Sequence, residues 1–300
     1  MVVGSLVVGL GRPAIWVVAL AGFLAGGGAI ALAWPITVLP TPSGLQNLLG
    51  APISTLAFGD PSPELVRTAG LVAGLAVVLL VAGLWAGAWS ERQAISLVLD
   101  EAAAEGYTGP APSLRGAPGP GQVALLRSLS LLPPAAVVAL GWPTLYSVTY
   151  QELILPEDLA TPLPIRVIAK VPLLLAALIG TWLLADASAA VAVRRLVVER
   201  RGVAAAWALG WADLARRAHR VVPVAILGDL VLALATGPAL AAAGLGWLRV
   251  RAALETPASP LDVVVVVALW VAVWLGAAVL AGIGSAVRSA LFTLEAARRP

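Results

Sequence analysis

The stretch Leu261–Ile283, LDVVVVVALWVAVWLGAAVLAGI, holds one charged residue, Asp262, near its start, and it decides the fold class. About 20 consecutive apolar residues make a helix long enough to cross roughly 30 Å of hydrocarbon. Working outward from this stretch, five more windows of the same kind recur, at 14–34, 68–89, 134–150, 171–193 and 222–245. The third is short and marginal. None shows the sustained alternation of a barrel strand, and backbone groups in lipid must be satisfied within the chain, so all six predict helices. The composition agrees, with 60% apolar and 12% charged residues and a mean hydropathy of +0.95. Soluble proteins carry about 25% charged residues. The expected fold is all-α, a polytopic membrane helix bundle of six transmembrane helices forming a single membrane domain over 1–300.

The chain has no cysteine, which excludes disulfides, thiolate metal sites and thiol nucleophiles. Its one histidine, His219, excludes a multi-histidine metal site. A net charge of +3 fits basic loops beside a membrane and gives no reason to invoke nucleic acid. If the N-terminus is inside, fourteen arginines fall on the inner side, and four arginines and Lys170 on the outer. The positive-inside rule therefore predicts cytoplasmic N- and C-termini. Ala31-Leu32-Ala33 looks like a signal cleavage site, but the apolar run before it is too long for a signal peptide, so the first span is expected to stay.

Spacing suggests three pairs of spans. Pro13, Pro133-Pro134 and Pro223 stand at the entrances of the odd-numbered ones, where proline costs no helix hydrogen bond. A short amphipathic segment precedes each. The even-numbered spans run on past the membrane and end in Leu99-Asp100-Glu101, Val198-Glu199-Arg200 and Leu294-Glu295-Ala296. The clearest interfacial helix covers 203–220, with Trp207, Trp211, Leu214 and Ala218 forming one stripe at about 100° per residue. Trp207 and Trp211 are its expected membrane anchors. Arg194, Arg195, Arg200, Arg201, Arg216, Arg217 and Arg220 are its candidate contacts to anionic headgroups. The same arginines also serve simply to fix topology, as positive-inside loops do in any polytopic protein.

A weaker amphipathic stretch, 121–132, places Leu125, Leu129 and Leu132 together. The Gly- and Pro-rich segment 106–121 before it reads as a flexible cytoplasmic linker. Ser43 is placed to cap a short helix through Leu49 in the long first outer loop. Trp34, Trp89, Trp142 and Trp247 fall near span ends, as an aromatic belt requires. Gly22 and Gly26, and Gly70 and Gly74, have the spacing of close helix contacts.

The string Arg195-Leu196-Val197-Val198-Glu199-Arg200-Arg201-Gly202-Val203-Ala204-Ala205-Ala206-Trp207, followed by Leu214-Ala215-Arg216-Arg217, resembles the central signature of one family. These are bacterial and archaeal membrane proteins similar to the membrane domain of glycerophosphoryl diester phosphodiesterases. Gly11-Arg12-Pro13-Ala14-Ile15-Trp16 and Thr293-Leu294-Glu295 before Arg298-Arg299 are similar too. The resemblance implies a six-helix bundle with interfacial helices in a prokaryotic cell membrane, and no established activity. It does not imply phosphodiesterase chemistry, which belongs to a separate soluble domain.

No phosphate-binding loop, nucleophile elbow or paired catalytic carboxylates stand out, so a non-enzyme without cofactor or metal is expected. Two acids invite a function. Asp186 and Asp229 fall inside spans, about 12 Å and 13 Å from Arg194 and Arg220 along their helices. Intramembrane carboxylates usually face the bundle interior or water. Asp186 and Asp229 are then either structural groups, hydrogen-bonded to Thr181, Ser188 or Thr236, or a coupling site in a small transporter with no intramembrane base nearby. The former is favoured, with at least one aspartate buried among helices. The expectation is a lipid-facing scaffold or complex component, with membrane lipids and a membrane-protein partner or second copy as its contacts.

Overall fold

The computed structural model describes residues 2–37, 62–108, 116–155, 161–255 and 259–297. Among them every regular element is helical. Six helical segments are long and apolar enough to cross a membrane: Pro13–Ile36, Pro63–Ala104, Pro120–Ile154, Pro172–Val197, Ala218–Glu255 and Pro260–Ala297. The expected all-α helical bundle is therefore the fold, and its character is that of a multi-pass membrane protein. The Ser43 cap, Arg115, the middle of the 106–121 linker and the Arg298-Arg299 tail lie outside the described residues.

In chain order the helices are α1 (Val2–Gly11), α2 (Pro13–Phe23), α3 (Ala29–Ala33), α4 (Pro63–Ala104), α5 (Pro120–Ser130) and α6 (Leu132–Ile154). There follow α7 (Leu163–Lys170), α8 (Pro172–Val197), α9 (Val203–Arg216), α10 (Ala218–Glu255) and α11 (Pro260–Ala297). A π turn, Leu24–Gly28, joins α2 to α3 and holds Gly27 at φ 102°. Only glycine takes that conformation without strain, so the Gly26-Gly27-Gly28 run serves as a kink in the first span. Helix α6 has 23 residues and continues through Pro143, so at about 1.5 Å per residue the third span is not marginal.

The 42 residues of α4 and the 38 of α11 would extend ~60 Å, twice the hydrocarbon thickness. The second and sixth spans do run on, whereas the fourth, α8, ends at Val197, short of Val198-Glu199-Arg200, and the fifth, α10, is as long as α11. Proline opens odd and even spans alike: Pro13 and Pro133-Pro134 stand in the first turns of α2 and α6, as expected. Pro63, Pro172 and Pro260 open helices α4, α8 and α11, whereas Pro223 sits inside α10, which begins at Ala218.

Packing divides the chain into two compact units. Unit 1 is Met1–Thr37, Gly83–Ser130 and Asp186–Pro300; unit 2 is Val38–Ala82 and Leu131–Ala185. In unit 1, α11 is the hub, packed by α1, α2 and α10. One apolar cluster joins α4, α5 and α8 through Ile95, Leu99, Val123, Leu126, Val193 and Leu196. Another joins α8, α10 and α11 through Val191, Val221, Val224, Val287 and Leu291. Close approach depends on small residues. A Cβ on Gly282 would stand 2.9 Å from the Trp16 carbonyl oxygen, and one on Gly284 3.0 Å from the Leu232 Cα. Of the four glycines expected at contacts, Gly22 meets Ser90, whereas among the described residues nothing lies within 4 Å of a Cβ added at Gly26, Gly70 or Gly74.

Indole groups add ties, with Trp16 Nε1 donating to the Gly9 carbonyl at 2.8 Å and Trp274 Nε1 to that of Leu32 at 2.7 Å. Trp34, Trp89 and Trp142 are exposed, while Trp247 packs on Trp270, ring centroids 5.1 Å apart.

The short helices pack mainly on a side other than the expected apolar stripe. In α5 the buried side is Val123, Leu126 and Ser130, and Leu125 and Leu132 point outward. The expected 203–220 helix breaks at Arg217, leaving Ala218 and Arg220 to α10. Its buried face is Ala206, Gly210, Asp213 and Leu214, while Trp207 and Trp211 are half-buried. Where lipid surrounds a helix, small residues make the helix contacts and large apolar side chains are free to face outward.

Candidate functional site

The six charged side chains that meet inside unit 1 come from five helices. Glu91 on α4 accepts a forked pair of hydrogen bonds from Arg127 on α5, 2.7 Å from Nη2 and 2.8 Å from Nε. Arg127 Nη1 donates onward to Asp186 on α8 at 2.9 Å. The other Asp186 oxygen accepts from Arg288 Nη2 on α11. Arg288 Nε then donates to Asp229 on α10 at 2.7 Å. At the far end Arg194, also on α8, donates to Glu91 Oε1 at 2.9 Å, to its own helix at the Ala190 carbonyl, and to Ser289 Oγ at 3.3 Å. The Phe292 ring lies beneath two of these cations, 5.5 Å from the Arg194 Cζ and 5.6 Å from that of Arg288.

Three guanidiniums face three carboxylates, so the network is formally neutral. That balance matters because an uncompensated charge removed from water costs several kcal/mol. Side-chain exposure is 3% for Arg194 and 13% for Glu91, between 21% and 28% for Arg127, Asp186 and Arg288, and 40% for Asp229. The network is thus most enclosed at Arg194 and most open at Asp229.

Asp186 and Asp229 are brought together, as expected, but through the shared Arg288 and not directly. The expectation that no base lies near them is overturned. Arg127 falls in the expected interfacial stretch 121–132 and Arg288 on the continuation of the sixth span, and their helices carry both inward. Neither aspartate is fully buried, at 28% and 40% side-chain exposure. The threonines expected as partners bond elsewhere: Thr181 donates to the Ala177 carbonyl and Thr236 to that of Leu232, each within its own helix.

The seven arginines offered to lipid headgroups also divide. Arg194 is buried in the network. Arg195 pairs with Asp213 at 2.7 Å and Glu199 at 2.8 Å, which fastens α9 to α8. Both are internal groups, not lipid contacts. Arg200, Arg201, Arg216, Arg217 and Arg220 are exposed. Arg200 takes a φ of 54° in the turn between α8 and α9.

Compared with family models, curated proteins and solved structures, the chain matches none. Its site must therefore be judged on its own chemistry. Among the described residues no group of three or more His, Asp or Glu side chains is placed to hold a metal ion. Glu91, Arg288, Ser289 and Phe292 were not singled out from the sequence. The available signal was the run-on of the second and sixth spans, which keeps Glu91 and Arg288 on helices.

Unit 2 has its own charged group. Glu152, 2% exposed at the end of α6, pairs with Arg166 and Lys170 of α7. The spacing of Leu163, Arg166, Val167 and Lys170 puts them on one side of that short helix. A groove of about 410 Å³ in the same unit, bounded by Leu131, Pro134, Val138, Leu178, Ile179 and Trp182, offers no polar group.

Proposed function

We propose that the protein is a non-catalytic, multi-pass membrane protein whose unit 1 is a rigid, lipid-facing scaffold or a component of a membrane complex. The observation that carries this is the closed, neutral network of Glu91, Arg127, Asp186, Arg194, Asp229 and Arg288. Every carboxylate in it is already engaged by a guanidinium, which suits a lock between helices. The outward display of large apolar side chains suits contact with acyl chains or a membrane partner, as with Leu234 and Leu269 of unit 1, 66% and 63% exposed. The resemblance to the phosphodiesterase membrane domain points the same way, to a prokaryotic cell membrane and no established activity. Both termini are assigned to the cytoplasm on the arginine count. A reporter fused after Pro300 is expected to be active in the cytoplasm, and a tag near Gly44 accessible from outside.

A small transporter is the second reading, favoured by one feature: Asp186 and Asp229 share Arg288 and are both partly open. Replacement by asparagine separates the two. For a lock, Asp186→Asn should cost about 2–3 kcal/mol, because the amide keeps one acceptor oxygen for two guanidinium donors and removes the charge that both face. Asp229→Asn, more exposed and singly paired, should cost at most about 1 kcal/mol. Thermal unfolding in detergent reads this order. Proton-driven solute movement in proteoliposomes that disappears in either folded variant would favour transport instead.

A further inference from the structure

We propose that Arg216, Arg217 and Arg220, at the corner where α9 gives way to α10, clasp the phosphate of one anionic lipid. The three occupy a single tight turn, in which the Arg217 carbonyl accepts from the backbone N–H of Arg220 at 2.9 Å and of Val221 at 3.1 Å. All three are exposed. None makes an ion pair with another described residue. The nearest acids in sequence are already taken, Asp213 by Arg195 and Asp229 by Arg288. Three positive charges therefore stand uncompensated within five residues, while four other arginines of the same loop have partners of their own.

Charge calls for an anion, and guanidinium forks match phosphate oxygens in particular. The place of the corner selects a lipid over a free ion or an acidic protein. Beyond it α10 enters its apolar stretch, where Ile226 and Leu230 are 61% and 49% exposed. A headgroup bound at the arginines thus leaves its acyl chains beside an apolar helix surface. The site rests on the membrane-embedded reading of unit 1, but a control separates the two.

The test is native mass spectrometry of the full chain released from detergent, titrated with phosphatidylglycerol, phosphatidylcholine or inorganic phosphate. One phosphatidylglycerol is expected to stay bound per chain, with neither other ligand replacing it. Each of Arg216→Gln, Arg217→Gln and Arg220→Gln should weaken binding about fivefold, and the triple variant about a hundredfold. The triple lysine variant should recover part of the loss. All three side chains are exposed, so the thermal midpoint without lipid is expected to be unchanged. Equal retention of phosphatidylglycerol by the triple glutamine variant would overturn the proposal. So would equal binding of phosphatidylcholine, full competition by inorganic phosphate, or capture of polyglutamate in place of lipid. Carbonate extraction is the control: release of the wild-type chain from membranes would defeat the embedded reading itself, whereas retention with no bound lipid would defeat only this site.

Discussion

Glu91→Gln is expected to destabilise the protein by about 3–5 kcal/mol, the usual result of removing one member of a buried ion pair. The substitution leaves Arg127 with Asp186 but strips Arg194 of its only carboxylate, and the Arg194 side chain is 3% exposed. A cation is then enclosed with only a backbone carbonyl and the Ser289 hydroxyl for company. The companion experiment removes both members. Glu91→Gln with Arg194→Met restores the balance of charge and keeps an apolar side chain in the buried volume, so most of the loss should return. The double-mutant cycle, read by reversible unfolding in detergent, should give strong coupling. Additive losses would mean that Glu91 and Arg194 act independently.

Gly210→Ala should lower stability by about 1–3 kcal/mol, although alanine ordinarily favours a helix over glycine. A Cβ at this position would stand 2.6 Å from the Ser188 carbonyl oxygen and 2.8 Å from the Ala192 Cβ, both on α8. Neither is the end of a flexible side chain, so α9 must move away. That movement would strain the Arg195–Asp213 pair and uncover the half-buried rings of Trp207 and Trp211. A lower thermal midpoint with altered tryptophan fluorescence is the expected result. Gly70→Ala is the contrast, since among the described residues nothing lies within 4 Å of an added Cβ there, and it should be neutral or slightly stabilising. Equal effects at the two glycines would show that α9 does not rest on α8 as described.

The spans were legible because apolar run length is a direct response to hydrocarbon thickness, and no alternative backbone could satisfy itself there. Asp186 and Asp229 were legible for the same reason, as charges inside those runs. Their cationic partners were not. Arg127 and Arg288, with the Glu91 that Arg127 also holds, stand outside the apolar windows, where charge reads as belonging to the cytoplasmic side, and only the continuation of α4, α5–α6 and α11 past the hydrocarbon draws them together. The apolar stripes of α5 and α9 were legible as faces turned to lipid; that another side of each, Val123 and Leu126 in α5 and Ala206 and Gly210 in α9, packs on neighbouring helices was not. In a helix with lipid available, glycine and alanine allow close backbone contact and the larger side chains face away. The pairing of Glu152 with α7 depends on a return of the chain after Ile154, which no local pattern announces.

The central claim is that the six charged groups form a closed lock in the embedded protein. An electron cryomicroscopy map of the chain in a lipid nanodisc at neutral pH tests it most directly. The expected map has the Arg288 guanidinium between Asp186 and Asp229, its Nε near 2.7 Å from Asp229, and Glu91 held by both Arg127 and Arg194. A water-filled passage open to both membrane faces, lined by Asp186 and Asp229 with Arg288 turned away, would contradict the lock and make the transporter the better account.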